Sequence, residues 1–245
     1  MHDLSITESR VLLYDLPCTF DLDVAMAGAR FPYRWNSAYQ ARLGILPLGG
    51  TAEQATWVEV DPCWVYHPAN AYDDGDRIVV DVVRWASMFN VDVLGPNDGV
   101  PRLERWVVDP VASSVAVEVV DDRGQEFPRV DERLVGRRHR YVYAAEIGPG
   151  FEPGAALRHD LEDGTTIRRD FGPGRSAGEL VFVPRDDDGA EDDGWLLTCV
   201  HDAAEGRSDL VILDAGDVAG DAVAVVELPG RVPLGFHGNW VPTPA

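Results

Sequence analysis

Ten short runs of apolar or alternating residues, most closed within a few positions by Asp, Gly or Pro, recur along the chain and confine it to a narrow set of folds. They read RVLLYDLP, WVEVDP, RIVVDVVRW, RWVVDP, SSVAVEVVDDRG, HRYVYAAE, ELVFVPR, WLLTCVHD, DLVILDAGD and AVAVVELP. In SSVAVEVV, Val115, Val117 and Val119 alternate with Ser114, Ala116 and Glu118, so a strand there puts its valines on one side. No segment carries a sustained helical stripe. Many short strands separated by acidic and glycine turns predict an all-β chain: a sandwich, a barrel or a propeller. Spacing alone does not separate the three.

Two acidic clusters fall between such runs: YDDGDR, from Tyr72 to Arg77, and DDDGAEDDG, from Asp186 to Gly194. Neither has the alternating Asp/Asn pattern of a calcium loop, and Asp and Gly supply turn conformations, so both are predicted to be hairpin loops. The glycine-rich GPGFEPG and FGPGRSAG are predicted to be loops too, since no strand-then-helix context suggests a phosphate cradle.

At 245 residues and 45% apolar content the chain can bury a sizeable core, as one large β domain or two small ones. The 42 acidic residues outnumber 21 basic ones, all arginine, for a formal charge of -21. So acidic a surface repels phosphate, which argues against nucleic acid as a partner and leaves apolar or small neutral ligands open. Cys18, Cys63 and Cys199 are odd in number and far apart, giving neither a disulfide framework nor a thiolate zinc site. The opening MHDLSITESR is no secretory leader, and no run approaches the length of a membrane span. A cytoplasmic location is the expectation.

The six histidines differ in context. His139 and His159 lie among arginines and acids in GRRHRY and LRHDLEDG, and His201 precedes Asp202 at a strand end; these three are predicted at the surface. His2, His67 and His237 sit in MHDLSIT, WVYHPANAYDDGD and GFHGNW, beside aromatic or small residues suited to an interior site. A lone histidine in such a loop more often satisfies a backbone group than binds a metal. Hydrolase templates find little support, with no nucleophile elbow and no cysteine near a plausible base.

Those three contexts, in that order, resemble the carotenoid cleavage oxygenases. The resemblance also takes in DLPCTFDLD, FPYRWNSAYQARLGILP, HPANAYDDGDRIVVDVVRW, EFPRVDERLVGRRHRYVYA, GELVFVPR, DDGWLLTCVHD and DLVILDAGD, and so runs from Met1 essentially to the last residues. It implies residues 1–245 as the C-terminal part of a seven-bladed β-propeller, an open arc of blades, and a non-haem Fe(2+) bound by four histidines without a carboxylate ligand. His2, His67 and His237 match three of those histidines, and Glu126 and Glu179 match glutamates that support them. Neutral imidazoles suit ferrous iron. The implied reaction splits a conjugated C=C bond of a carotenoid, apocarotenoid or stilbene with O2 into two carbonyl products. Trp64, Tyr66, Phe236 and Trp240 are candidates to line the space for such a substrate, and peripheral membrane contact is a route for its uptake.

The matched motifs all belong to roughly the second half of that family, which places one ligand histidine and one supporting glutamate before Met1. Two readings follow. One is an iron-dependent dioxygenase completed by an N-terminal half, with the 245-residue chain alone binding iron weakly and His2 beside a frayed terminus. The other is a catalytically incompetent fragment that at most binds an apolar ligand or a partner.

Overall fold

A computed structural model describes residues 1–91, 93, 98–148, 150–233 and 237–242. All ten apolar runs form strands, and the longest helix among the described residues is α1, Leu22–Met26. The backbone clusters into two compact units, the first built mainly from residues 1–124 and the second mainly from 125–245.

In the first unit the chain runs β1 (Leu4–Ile6), β2 (Arg10–Asp15), β3 (Cys18–Phe20), β4 (Tyr33–Trp35), β5 (Arg42–Pro47) and β6 (Thr56–Glu59). The antiparallel sheet β1-β2-β5-β6 takes four of them, while β3 and β4 pair as a separate ribbon that carries α1 between its strands. Next come β7 (Trp64–Asp74), β8 (Arg77–Trp85), β9 (Arg102–Asp109) and β10 (Ser114–Asp121), a second sheet in simple up-and-down order. Strand β8 is the most apolar, and Ile78 through Val83 are all buried. That run includes Asp81, which has no solvent exposure. Its carboxylate is matched by Arg105, its cross-strand partner on β9, through two hydrogen bonds of 2.9 Å.

The second unit repeats the pattern. Strands β11 (Gln125–Arg129), β12 (Tyr141–Gly148), β13 (Glu152–Asp160) and β14 (Thr165–Arg169) form one sheet. The other is ordered β15 (Arg175–Ala177), β17 (Gly194–Asp202), β18 (Arg207–Asp214) and β19 (Ala224–Glu227), with β16 (Val181–Pro184) also pairing with β17. Tyr143, Leu180, Phe182, Leu196 and Leu213 are central to the core between them, the Tyr143 and Phe182 rings stacked 5.9 Å apart. Leaving aside the β3–β4 ribbon, three of the sheets have four strands and the last has five, all antiparallel and of the blade type.

Both acidic clusters are hairpin connections. Gly75, at a φ of 63°, turns β7 into β8. In the loop from Asp186 to Asp193, a guanidinium stands where a cation would be sought: Arg133 donates to the carbonyls of Asp186, Asp187 and Ala190 and is itself held by Asp131. Val117 and Val119 of β10 are exposed, as are Ala116 and Glu118, β10 being the end strand of its sheet.

Removing Asp81 leaves Arg105 as a largely buried charge without its carboxylate, so Asp81→Ala is expected to lower unfolding free energy by about 3–5 kcal/mol in urea titrations. A loss below about 1 kcal/mol would show that the pair is solvated.

Candidate functional site

In each of the four larger sheets the strand earliest in sequence lies at one end of the order, and every predicted metal-site residue but one is on or beside such a strand. His2 precedes β1 by two residues, His67 lies on β7, Glu126 on β11, and Glu179 follows β15 by two. An end strand keeps one side clear of ladder pairing, which leaves its side chains able to face a ligand. His237 is the exception, delivered by the segment after β19.

In the first unit, the rings of His2 and His67 stand 5.2 Å apart, edge to face at 83°. Tyr66 packs on the other edge of His2, at 4.9 Å and 80°, and continues to Trp64 and Trp85. Trp64 and Trp85 are buried, and Phe151 stacks on Trp85 at 6.1 Å. The imidazole pair therefore borders an aromatic wall.

In the second unit, His237 Nδ1 lies 3.1 Å from Glu179 Oε1, and the amide of Gly238 donates to Glu179 Oε2 at 2.8 Å. A carboxylate only accepts, so the Nδ1 proton belongs to the histidine and Nε2 is the nitrogen suited to a metal. The Glu179 side chain is nearly buried, at 7% exposure, whereas that of His237 is half exposed. Phe127 meets the His237 ring edge to face at 5.8 Å. A cavity of about 360 Å³ opens here, lined by Glu179, Val181, Leu197, Leu210, His237 and Trp240 among others.

The structure brings His2 to His67 and His237 to Glu179. Glu126 is fully buried, with Oε2 accepting the Phe127 amide at 2.8 Å, so it meets the His237 surroundings through Phe127. Among the described residues, no three or more His, Cys, Asp or Glu side chains gather as a metal-binding group. The donors nevertheless fit ferrous iron in kind, being imidazoles of which one is fixed by a carboxylate. Phe236 lies outside the described residues.

Two of the three histidines predicted at the surface are buried. His159 is 1% exposed, its Nε2 bound to Gln125 Oε1 at 2.8 Å and its Nδ1 to Thr166 Oγ1 at 2.9 Å. His139 is 5% exposed. Of the charged neighbours that suggested solvent, Arg158 and Asp160 are buried and paired, with Asp192 and Arg140, while Arg137, Arg138, Glu162 and Asp163 remain exposed. The Arg140 guanidinium holds the Asp160 carboxyl down to about 2. His201 is half-buried and lines the cavity that also holds His237. Sequence reasoning passed over Arg129 and Asn239. Arg129 donates to both Glu179 and Asn239, and the only sequence signal was the EFPR motif that contains it.

A family model described as the retinal pigment epithelial membrane protein matches residues 1–242. The chain is 37% identical to a carotenoid cleavage oxygenase of Mycobacterium tuberculosis over 99% of its own length and 58% of the relative's. It is 36% identical to the apocarotenoid-15,15'-oxygenase of Synechocystis, across 99% of this chain and 52% of that one. The crystal structure of cobalt-substituted Synechocystis ACO superposes with a TM-score of 0.90 at 33% identity, over 99% of this chain and 53% of that chain. The chain thus spans about half the length of the curated relatives it matches.

Replacing Glu179 by Ala removes the acceptor of both His237 Nδ1 and the Gly238 amide. Hydrogen exchange at Gly238 is expected to accelerate by about tenfold or more, since a hydrogen bond to a charged group is worth about 1.5–3 kcal/mol. An unchanged exchange rate at Gly238 would mean that Glu179 does not anchor this segment.

Proposed function

This chain belongs to the retinal pigment epithelial membrane protein family, the carotenoid cleavage oxygenases, and on that premise we propose that it forms part of an iron(II)-dependent dioxygenase acting on a carotenoid or apocarotenoid. The reaction adds both atoms of O2 across one conjugated C=C bond, giving two carbonyl products. The observation that carries the reading is the carboxylate-backed imidazole of His237, supported by the His2 and His67 ring pair on the opening strands of their sheets. The names of the relatives favour a polyene over a stilbene.

His2, His67 and His237 would hold the metal, with Glu179 and Glu126 as supporting carboxylates. A bound ferrous ion supplies the activation of dioxygen. Glu179 keeps the proton of His237 on Nδ1, so that ring presents one defined nitrogen. Tyr66, Trp64 and Trp85 offer aromatic edges to an apolar chain and keep water from its reactive carbons. No side chain need transfer a proton, because the net reaction moves none. The three free cysteines support a cytoplasmic setting.

Uptake from a membrane fits the ribbon of β3, β4 and α1. No helix of the described residues is long and apolar enough to cross a membrane. Yet Phe20, Leu22, Met26, Phe31 and Tyr33 are exposed together on this short excursion, and α1 buries none of its residues. Given the formal charge of -21, the fitting lipid surface is zwitterionic.

The enzymatic test measures iron content and oxygen-dependent aldehyde from an apocarotenoid, for the chain alone and combined with a polypeptide supplying the family's remaining blades. The completed protein is expected to bind iron and turn over, and His67→Ala or His237→Ala to lower iron affinity at least about tenfold. Iron uptake indifferent to both substitutions would refute the ligand assignment. Iron-free, inactive material that still retains an apocarotenoid would favour a binding module. For the membrane, the Leu22→Glu, Met26→Glu double variant is expected to weaken flotation with phosphatidylcholine vesicles by about tenfold or more, as burying each such side chain is worth about 1.5–3 kcal/mol. Equal flotation would exclude this patch.

A further inference from the structure

We propose that Arg129 is a positioning residue for His237, fixing which ring nitrogen carries the proton by clamping Glu179 and Asn239. Its importance for catalysis rests on the ligand reading above, whereas its geometry stands without it.

Three observations converge on Arg129. Its side chain is only 19% exposed, and Nη1 donates to Glu179 Oε1 at 3.3 Å, the same oxygen that lies 3.1 Å from His237 Nδ1. Its Nη2 donates to Asn239 Oδ1 at 3.3 Å and to Glu132 Oε1 at 2.6 Å. Asn239 Oδ1 also accepts the Trp240 amide, and Glu179 Oε2 accepts the Gly238 amide. One guanidinium therefore braces the chain on both sides of Gly238, from a residue 110 positions away in sequence from Asn239.

The backbone explains how Arg129 arrives there. The pairing of β11 with β12 shifts between Glu126 and Arg129, and within that bulge Phe127 takes a φ of 55°, a conformation costly for a bulky residue. The bulge re-aims the strand so that Phe127 meets the His237 ring while Arg129 reaches Glu179. Strain of this kind persists only where surrounding contacts over-determine it.

Chemistry explains why the residue is arginine. With both oxygens of Glu179 committed, Oε1 to Arg129 and His237 and Oε2 to Gly238, the carboxylate has one orientation in which to receive the Nδ1 proton. A planar fork reaches two separated acceptors at once, whereas an ammonium is a point donor. Without Arg129 the carboxylate can rotate about its terminal torsion and the imidazole can exchange tautomers.

The test reads that tautomer in the metal-free chain. Histidine is labelled with 15N, His237 is assigned by loss of its signals in His237→Gln, and long-range 1H–15N spectra are recorded at about pH 8.5. The wild-type chain is expected to favour the Nδ1–H form by at least about tenfold, as for a charge-assisted bond. Arg129→Ala should bring the two tautomers toward equal population, and Arg129→Lys should fall between. His159 signals should stay in place, since Gln125 and Thr166 hold that ring. Glu132→Gln, which removes the other partner of Arg129, should leave His237 unchanged if the pair with Glu132 is only structural. An Arg129→Ala chain that keeps the His159 signals and the wild-type His237 tautomer ratio overturns the proposal. Should Arg129→Ala fail to fold, Arg129→Gln takes its place with the same outcomes decisive. Iron content measured on the same samples separates the two readings: a tautomer shift in a chain that never takes up iron would leave Arg129 as a positioning residue and remove the iron assignment.

Discussion

A four-stranded antiparallel meander has two end strands, and this chain uses them differently. The first strand of each sheet carries or abuts a residue of unusual chemistry: His2 at β1, His67 on β7, Glu126 on β11, Glu179 after β15. The middle strands are committed on both sides to ladder bonds, and β8 is buried along both faces, whereas β17 and β18 turn Leu197, His201 and Leu210 to the cavity beside His237. At the opposite end β10 and β19 are exposed and carry no such residue. The first strands thus carry the candidate ligands and their supports, and middle strands add the cavity wall.

The arginines follow from the same crowding. Strands this short and closely packed bury some charged positions whatever the sequence, and a buried carboxylate is tolerable only when matched. Arg105 serves Asp81 and Arg140 serves Asp160 through the two-pronged geometry of a forked, permanently charged group, and buried Arg158 pairs with the partly exposed Asp192 through one bond. Arg133 goes further and serves backbone carbonyls in the loop from Asp186 to Asp193. Most of these arginines sit at or just below the surface, and only Arg158 is itself buried, so the pairs neutralise carboxylates at the margin of the core while the chain keeps its formal charge of -21.

That distribution also sets what could be read in advance. Strand positions were legible because a period of two follows from pleating alone, and all ten apolar runs are strands. Burial was less legible. A charged neighbourhood in sequence suggested solvent for His139 and His159, yet Arg140 pairs with Asp160 20 positions away, Arg158 with Asp192 34 away, and the histidines are inside. Equally, the alternation in β10 does not tell that Val117 and Val119 are exposed, since sheet order rather than alternation decides which strand is last. At the candidate site, His237 and Glu179 could be named through family motifs. Their union could not be derived from spacing, because it joins residues 58 apart across separate elements.

The bulge in β11 is the part least visible in sequence and the one on which the His237 surroundings turn. EFPR reads as an ordinary strand interrupted by proline, and nothing in four letters announces a phenylalanine at positive φ. Had the strand continued in regular register, Glu126 and Phe127 would alternate across its two faces and Arg129 would repeat the side of Phe127. One five-residue strand supplies a buried carboxylate, a ring against His237 and a guanidinium to Glu179 from three of four successive residues, with the pairing shift and the positive φ of Phe127 between them. The contacts those residues make are what holds the irregular backbone. The strain and the site are thus a single feature, so relaxing either one loosens the other.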